Sequence, residues 1–129
     1  MSGNYLLDTN IVIALFAGEQ SVLDQLKNAS EVYIPSIVIG ELYYGANKSS
    51  QRSNNFQRIE ALIADSVVLA CDAVTAFHYG SVKEELRQKG KPIPENDIWI
   101  AAMARQFDLT LVSRDEHFNS LEELHLEAW

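Results

Sequence analysis

The chain has 129 residues, 47% apolar and 22% charged, which is the composition of a folded domain and excludes a disordered chain. Its single cysteine, Cys71, excludes a disulfide framework and a zinc site built from several cysteines. The formal net charge of −8 argues by itself against a nucleic-acid-binding protein. We expect one domain spanning residues 1–129, without a signal peptide or membrane span, in the reducing cytoplasm.

Short apolar runs alternate along the chain with segments of helical spacing. In chain order the pattern predicts a strand at 5–7, helices at 9–17 and 21–28, a strand at 32–34, helices from 36 and from 56, a strand at 67–69, helices at 72–90 and 95–106, and strands at 110–112 and 124–126. Ser36 is predicted as the N-cap of its helix. This alternation predicts an α/β fold with a mostly parallel four- or five-stranded sheet and helices on both faces.

Two acidic residues follow predicted strands, at the edge of the sheet where parallel α/β proteins bind their ligands. Asp8 comes directly after the first strand, and Asp115 lies three residues beyond Val112 in the fourth strand. Each of them could instead be a helix N-cap or a turn residue, which are common roles for aspartate.

Glu41 and Asp97 stand on the apolar faces of predicted helices, where solvated carboxylates are uncommon. Glu41 shares a face with Val38, and Asp97 precedes Ile100 and Ala101 at helical spacing. Because burial of an unpaired carboxylate is unfavourable, both residues need a cation or a hydrogen-bonding partner. For Asp97 the alternative is a favourable charge at a helix N-terminus.

If the four acids meet, a bound cation must offset their mutual repulsion. Oxygen ligands without cysteine or histidine select Mg²⁺ or Mn²⁺ over zinc, and such an ion can activate water for attack on a phosphodiester. His117, close to Asp115 in sequence, could be a further ligand or a base. Short polar residues beside the acids could hydrogen-bond to the ligands or be turn and cap residues: Thr9, Asn10, Asn96 and Ser113.

The four acids lie in four short segments: YLLDTN at 5–10, IVIGELYYGA at 37–46, NDIWIAA at 96–102 and LVSRDEHF at 111–118. In sequence and in order, these segments resemble the four motifs of PIN domains, and more closely those of the VapC toxins of prokaryotic toxin–antitoxin (VapBC) pairs. One such segment would be weak support for membership, whereas the four together are specific. The resemblance extends from residue 5 to residue 118.

The resemblance implies a three-layer α/β/α PIN fold and a metal-dependent endoribonuclease. Asp8, Glu41, Asp97 and Asp115 match the catalytic acids that hold Mg²⁺ or Mn²⁺ in this family, where the ion activates the water that attacks RNA. Members usually form homodimers, and a small VapB-like antitoxin inserts a peptide into the active-site groove. The RNA substrate implied by the family is a transfer RNA or a ribosomal RNA loop.

The acidity of the chain leaves contact with RNA to local basic stretches and to bound metal. Two stretches, 48–58 and 83–91, are rich in lysine and arginine although the chain as a whole is acidic. The candidate RNA-binding residues are Lys48, Arg52, Arg58, Lys83, Arg87, Lys89, Lys91 and Arg114.

Other functions remain open for a chain of this pattern. One is a PIN domain with little nuclease activity that acts as a binding and regulatory partner. More distant alternatives are a phospho-receiver domain and a phosphatase of the haloacid dehalogenase type. A receiver needs an acid pair near the first strand, whereas Asp8 stands alone, and such a phosphatase needs a second acid where Asn10 stands.

Overall fold

The computed structural model describes residues 3–129, which form six α-helices and a five-stranded sheet. The elements in chain order are β1 (Asn4–Leu7), α1 (Thr9–Phe16), α2 (Gln20–Lys27), β2 (Glu31–Pro35), α3 (Ser36–Lys48), α4 (Arg52–Asp65), β3 (Val67–Leu69), α5 (Ala73–Lys89), α6 (Glu95–Phe107), β4 (Thr110–Val112), a 3₁₀ turn (Glu116–Ser120) and β5 (Leu126–Glu127). Within residues 3–129, no helix combines the length and the apolar character that a membrane crossing requires.

The sheet is parallel throughout, with strand order β3-β2-β1-β4-β5. Strand β1 is central, and Tyr5 pairs with Val32 of β2 on one side and with Thr110 of β4 on the other. From β1 the chain moves outward through β2 to β3, then returns past β1 to β4. Right-handed crossovers therefore place α1–α4 on one face of the sheet and α5 and α6 on the other. The predicted α/β class and three-layer architecture are confirmed.

The centre of the molecule is formed by β1, β4 and α6. Leu6 and Leu7 of β1 and Leu111 of β4 are fully buried, as expected for a parallel sheet covered on both faces. In α6, the segment 98–104 contains six buried residues, three of them alanines whose short side chains allow neighbouring elements to approach closely. Helix α6 is therefore held rigidly, and its first turn lies at a fixed position relative to the ends of the strands.

Three local predictions were wrong: the N-cap at Ser36, the start of the helix expected from residue 56, and the last strand. The helix expected from residue 56 is α4, which begins four residues earlier at Arg52. Strand β2 continues directly into α3, so that Pro35 is the N-cap residue and Ser36 is the first residue of the helix. Pro35 has φ −63° and ψ 140°, a conformation that can end a strand and begin a helix without a loop. The fifth strand is Leu126–Glu127 and not 124–126, because its pairing with β4 begins where Leu126 lies opposite Leu111.

Candidate active site

The candidate site lies where β1 and β4 end side by side, at the point where the strand order reverses. The backbone N–H of Asp8 donates a hydrogen bond of 3.0 Å to the carbonyl oxygen of Val112, which ties the two strand ends together. Ligand sites of open parallel sheets form at such points, beyond the carboxyl ends of the strands. Asp8 and Asp115 both project from this edge, as the sequence predicts.

Asp8 is the most buried of the four acids, with 5% of its surface exposed. Its Oδ1 accepts a hydrogen bond of 2.8 Å from the backbone N–H of Thr9, which caps α1. Its Oδ2 accepts a bond of 2.7 Å from the Ser113 hydroxyl, and the Asn10 amide lies 3.3 Å from the same oxygen. Burial raises the pKa of Asp8, the bonds from Ser113 and Thr9 oppose this, and the charges of Glu41 and Asp115 add to it.

Glu41 enters the site from α3. It lies beside the buried residues Val38 and Leu42, which pack α3 against the core and fix the direction of the carboxylate. The hydroxyl of Thr9 donates a hydrogen bond of 2.6 Å to Oε1, and the amide of Asn96 lies 3.4 Å from Oε2. Glu41 is therefore connected to the first turns of both α1 and α6.

Asp97 and Asp115 meet around a histidine. The Nδ1 atom of His117 lies 3.0 Å from Oδ2 of Asp97 and 3.0 Å from Oδ1 of Asp115. The hydrogen bond to Asp97 and the charges of both acids raise the pKa of His117. Burial raises the pKa of Asp97. The hydrogen bond with His117 lowers this pKa, and the charges of Asp8 and Asp115 raise it further. The metal-free site thus favours positive charge between these carboxylates.

The four acids form one electrostatic group at one edge of the sheet. The charges of Glu41 and Asp115 raise the pKa of Asp8, and the charges of Asp8 and Asp115 raise the pKa of Asp97. Donor atoms of Asp97, Asp115 and His117 lie within 4.8 Å of one another, close enough to share one ion. Since most donors are carboxylate oxygens, the residues fit a hard divalent cation. Its charge would offset the burial and the mutual repulsion that together raise the pKa of Asp8 and Asp97.

The polar residues predicted beside the acids all contact this group. Thr9 and Asn96 hydrogen-bond to Glu41, while Asn10 and Ser113 hydrogen-bond to Asp8. The Ser113 hydroxyl also accepts a bond of 3.0 Å from the backbone N–H of Asp115. Ser113 therefore links the acid that follows β1 to the acid that follows β4.

The predicted RNA-binding residues divide into those that form ion pairs with acidic side chains and those that do not. In the second stretch, Lys83 pairs with Glu95, Arg87 with Glu84, and Lys89 with Glu85 and Glu122. Arg114 pairs with Glu19. The first stretch has no such acidic partners within residues 3–129, and its cations lie over aromatic rings instead: Lys48 over Tyr44, Arg52 over Phe56 and Arg58 over Phe16. Lys91 is exposed.

An apolar groove of about 370 Å³ leads away from the acids between α1, α3 and α4. Thr9 and Glu41 line its inner end, and Arg58 lines it together with Asn55. The rest of the lining is mainly apolar or small: Ile13, Phe16, Ala17, Leu42, Gly45, Ala46 and Ile59. The groove brings the first basic stretch next to the carboxylates.

The contact of His117 with Asp97 is a feature that sequence reasoning missed. The sequence shows that His117 lies two residues after Asp115. It does not show that His117 meets Asp97, which lies 20 residues earlier in the chain on another element. The signal that could have revealed the contact is the buried Phe118, which fixes the turn and directs the preceding residue outward, towards the start of α6.

Comparison with known proteins is consistent with this geometry. The family model of the PIN domain matches residues 5–124. The chain is 40% identical over 128 residues to ribonuclease VapC2 of Haemophilus influenzae, an alignment that covers 97% of each chain. It is 34% identical over 128 residues to the tRNA(fMet)-specific endonuclease VapC of Shigella flexneri, again with 97% of each chain covered.

Solved structures show the same architecture. VapBC2 of Rickettsia felis, bound to a DNA fragment from its promoter, matches with a TM-score of 0.88 at 34% identity, covering 97% of this chain and 98% of the other. DNA-bound VapBC of Salmonella typhimurium matches with a TM-score of 0.91 at 30% identity, covering 100% of this chain and 99% of the other.

Proposed function

The chain belongs to the PIN-domain family, and from this premise we propose that it is a VapC-type toxin, an endoribonuclease that needs Mg²⁺ or Mn²⁺. We also propose that residues 1–129 make up a single PIN domain, since the buried residues form one core cluster. The observation that carries the function is the convergence of Asp8, Glu41, Asp97 and Asp115 at one edge of the sheet, where shared hydrogen-bonding partners connect them. In our proposal these four residues are the metal ligands and the catalytic acids.

A divalent ion held there would make water a better nucleophile and would offset the charge that builds up on the phosphate oxygens. The protein's own part is to hold the ligands in position before the ion arrives. Thr9 and Asn96 orient Glu41, and Ser113 orients Asp8 while it accepts a hydrogen bond from the backbone of Asp115. Because these partners lie within helices or directly after a strand, the carboxylates need little rearrangement to bind an ion.

The first experiment on this function is to incubate the purified chain with total bacterial RNA and Mn²⁺ and to sequence the new RNA ends. We expect a small set of ends in single-stranded loops of transfer RNA or ribosomal RNA, as the name of the Shigella flexneri relative suggests for a transfer RNA. Ends scattered over all RNAs would contradict a toxin with a defined substrate.

The basic stretch 48–58 is the best-placed RNA contact in our proposal, because Arg58 lines the groove that begins at Glu41. Arg52 and Arg58 have no acidic partners within residues 3–129, so their charge is available to phosphates. In contrast, Arg87 donates two hydrogen bonds of 2.7 Å to Glu84, which satisfies much of its charge.

Reversal of charge at Arg52 and Arg58 (Arg52→Glu with Arg58→Glu) is expected to raise KM for RNA at least about tenfold at low salt, since two phosphate contacts are lost. The effect should shrink as salt increases. Arg87→Glu is the matched comparison and should change KM much less. If the double reversal leaves cleavage unchanged at every salt concentration, the 48–58 stretch does not contact RNA.

We propose a VapB-like antitoxin as the protein partner and the apolar groove as its docking site. The groove pairs an apolar floor with the Arg58 guanidinium and ends at the carboxylates, so a peptide bound there would cover the site. The relatives from Rickettsia felis and Salmonella typhimurium are VapBC complexes. Co-expression with the product of a short neighbouring reading frame should give a complex without nuclease activity.

A homodimer, usual in this family, also belongs to the proposal.

A PIN domain that binds partners but cleaves little RNA is the alternative. Nothing in the site favours it, since each of the four family acids is present and is held by a hydrogen bond. It would be supported if the folded chain, freed of any partner, cleaved no RNA with either metal.

A further inference from the structure

His117 occupies a position that the proposed function does not by itself explain. It stands in the 3₁₀ turn after β4, and its side chain is about half exposed (47%) while its Nδ1 atom faces two carboxylates. Asp97 comes from α6 and Asp115 from the end of β4, so the ring lies across the gap between two elements.

The distances in this cluster match those between ligands of one metal ion. Neighbouring ligands of an octahedral ion, at bond lengths of about 2.1 Å, lie about 3.0 Å apart. Nδ1 of His117 is 3.0 Å from Oδ2 of Asp97 and 3.0 Å from Oδ1 of Asp115. Donor atoms of all three residues fall within 4.8 Å of one another.

The turn is built so that the backbone of His117 has little freedom. Asp115 caps it by accepting a hydrogen bond of 3.0 Å from the backbone N–H of His117, and the neighbouring Phe118 is fully buried. The backbone of His117 is thus fixed on both sides. Only a rotation of the side chain could remove Nδ1 from the carboxylates.

On the basis of the proposed function, we propose that His117 is a ligand, through Nδ1, of the divalent ion that Asp97 and Asp115 hold. One imidazole nitrogen among oxygen donors favours first-row transition ions such as Mn²⁺, Fe²⁺ and Co²⁺ over Mg²⁺, which prefers oxygen ligands and keeps its waters. His117 therefore sets the metal preference of the site, and Mn²⁺ binds more tightly than Mg²⁺.

The test is an electron paramagnetic resonance titration of the full chain with Mn²⁺, combined with pulsed measurements that detect coupling of ¹⁴N to bound Mn²⁺. The wild-type chain is expected to show one histidine nitrogen coupled to the ion. In His117→Gln this coupling should disappear and the Kd for Mn²⁺ should rise about tenfold or more, while the Kd for Mg²⁺, measured by competition, changes little.

His125→Gln is the matched control, because His125 is also exposed and also near an aspartate, Asp108, at 3.5 Å, but outside the four-acid group. It should keep the nitrogen coupling and the Mn²⁺ affinity of the wild type. Since the coupling is read on the wild-type chain itself, the test does not depend on how well a variant folds.

Three results would overturn the proposal. Bound Mn²⁺ without nitrogen coupling would leave a carboxylate site in place and remove His117 from it. Tighter Mn²⁺ binding by His117→Gln would mean that the imidazolium competes with the ion for the carboxylates. If the wild-type chain bound no Mn²⁺ at all, this inference would be wrong, whereas the metal requirement in the proposed function would then rest on Mg²⁺ alone.

Discussion

Replacement of Asp97 by asparagine is expected to lower the rate of RNA cleavage at least about a hundredfold, because it removes one negatively charged ligand from the metal site. Asparagine has nearly the same shape, and its side-chain oxygen can still accept a hydrogen bond from His117, so the fold should be kept. Cleavage is measured with the substrate RNA at saturating Mn²⁺ and again over a Mn²⁺ series.

The raised pKa of Asp97 gives this prediction a second readout. A carboxyl group whose pKa is raised by folding destabilises the folded chain progressively as pH rises through that pKa. In EDTA at neutral pH, Asp97→Asn should therefore be at least as heat-stable as the wild type. Added Mn²⁺ should raise the melting temperature of the wild type and have little effect on the variant.

Asp108→Asn is the matched control for this experiment. Asp108 follows the same helix at its other end, its side chain is 86% exposed, and its φ of 52° is one that asparagine adopts readily. The control should cleave RNA like the wild type. Equal activity of Asp97→Asn and Asp108→Asn would exclude Asp97 from the catalytic group.

Truncation of Phe118 to alanine is expected to have the largest effect on stability, about 3–5 kcal/mol, because Phe118 is the largest fully buried side chain. For a domain of this size that corresponds to a fall in melting temperature of about 10–20 °C. Phe107→Ala removes the same atoms from a residue that is 42% exposed and should cost far less. Both variants are compared by thermal and urea unfolding.

The position of Phe118 also links its packing to the site. It anchors the turn that carries Asp115 and His117, so Phe118→Ala should weaken Mn²⁺ binding even at temperatures where the variant is folded. Unchanged metal affinity in the folded variant would mean that the turn is held by β4 and the hydrogen bonds of Asp115 alone.

Most of the fold could be predicted from the sequence because local pattern and topology agree. Apolar runs such as 5–7 and 110–112 alternate with helical segments, and parallel strands with right-handed crossovers leave few arrangements. The N-cap prediction for Ser36 failed because serine is a common N-cap residue, whereas β2 runs into α3 without a loop and makes Pro35 the N-cap. The last strand is only two residues long, and its register depends on β4 and not on its own sequence.

The position of the acids at one edge could be predicted because strand ends and helix faces determine it. Asp8 and Asp115 follow neighbouring strands, and Glu41 and Asp97 stand on faces that the core must cover. The pairing of the basic residues could not be predicted in the same way. Lys89 forms an ion pair with Glu122, and Arg114 forms one with Glu19. The partners in each pair are distant in sequence, so only the tertiary structure brings them together.

RNA cleavage by the wild-type chain and by Asp8→Ala, in EDTA, in Mg²⁺ and in Mn²⁺, tests most directly whether the carboxylates act through a divalent ion. We expect discrete fragments from the wild type with metal, none in EDTA, and none from Asp8→Ala in any condition. The same fragments in EDTA, or from a folded Asp8→Ala chain, would contradict it.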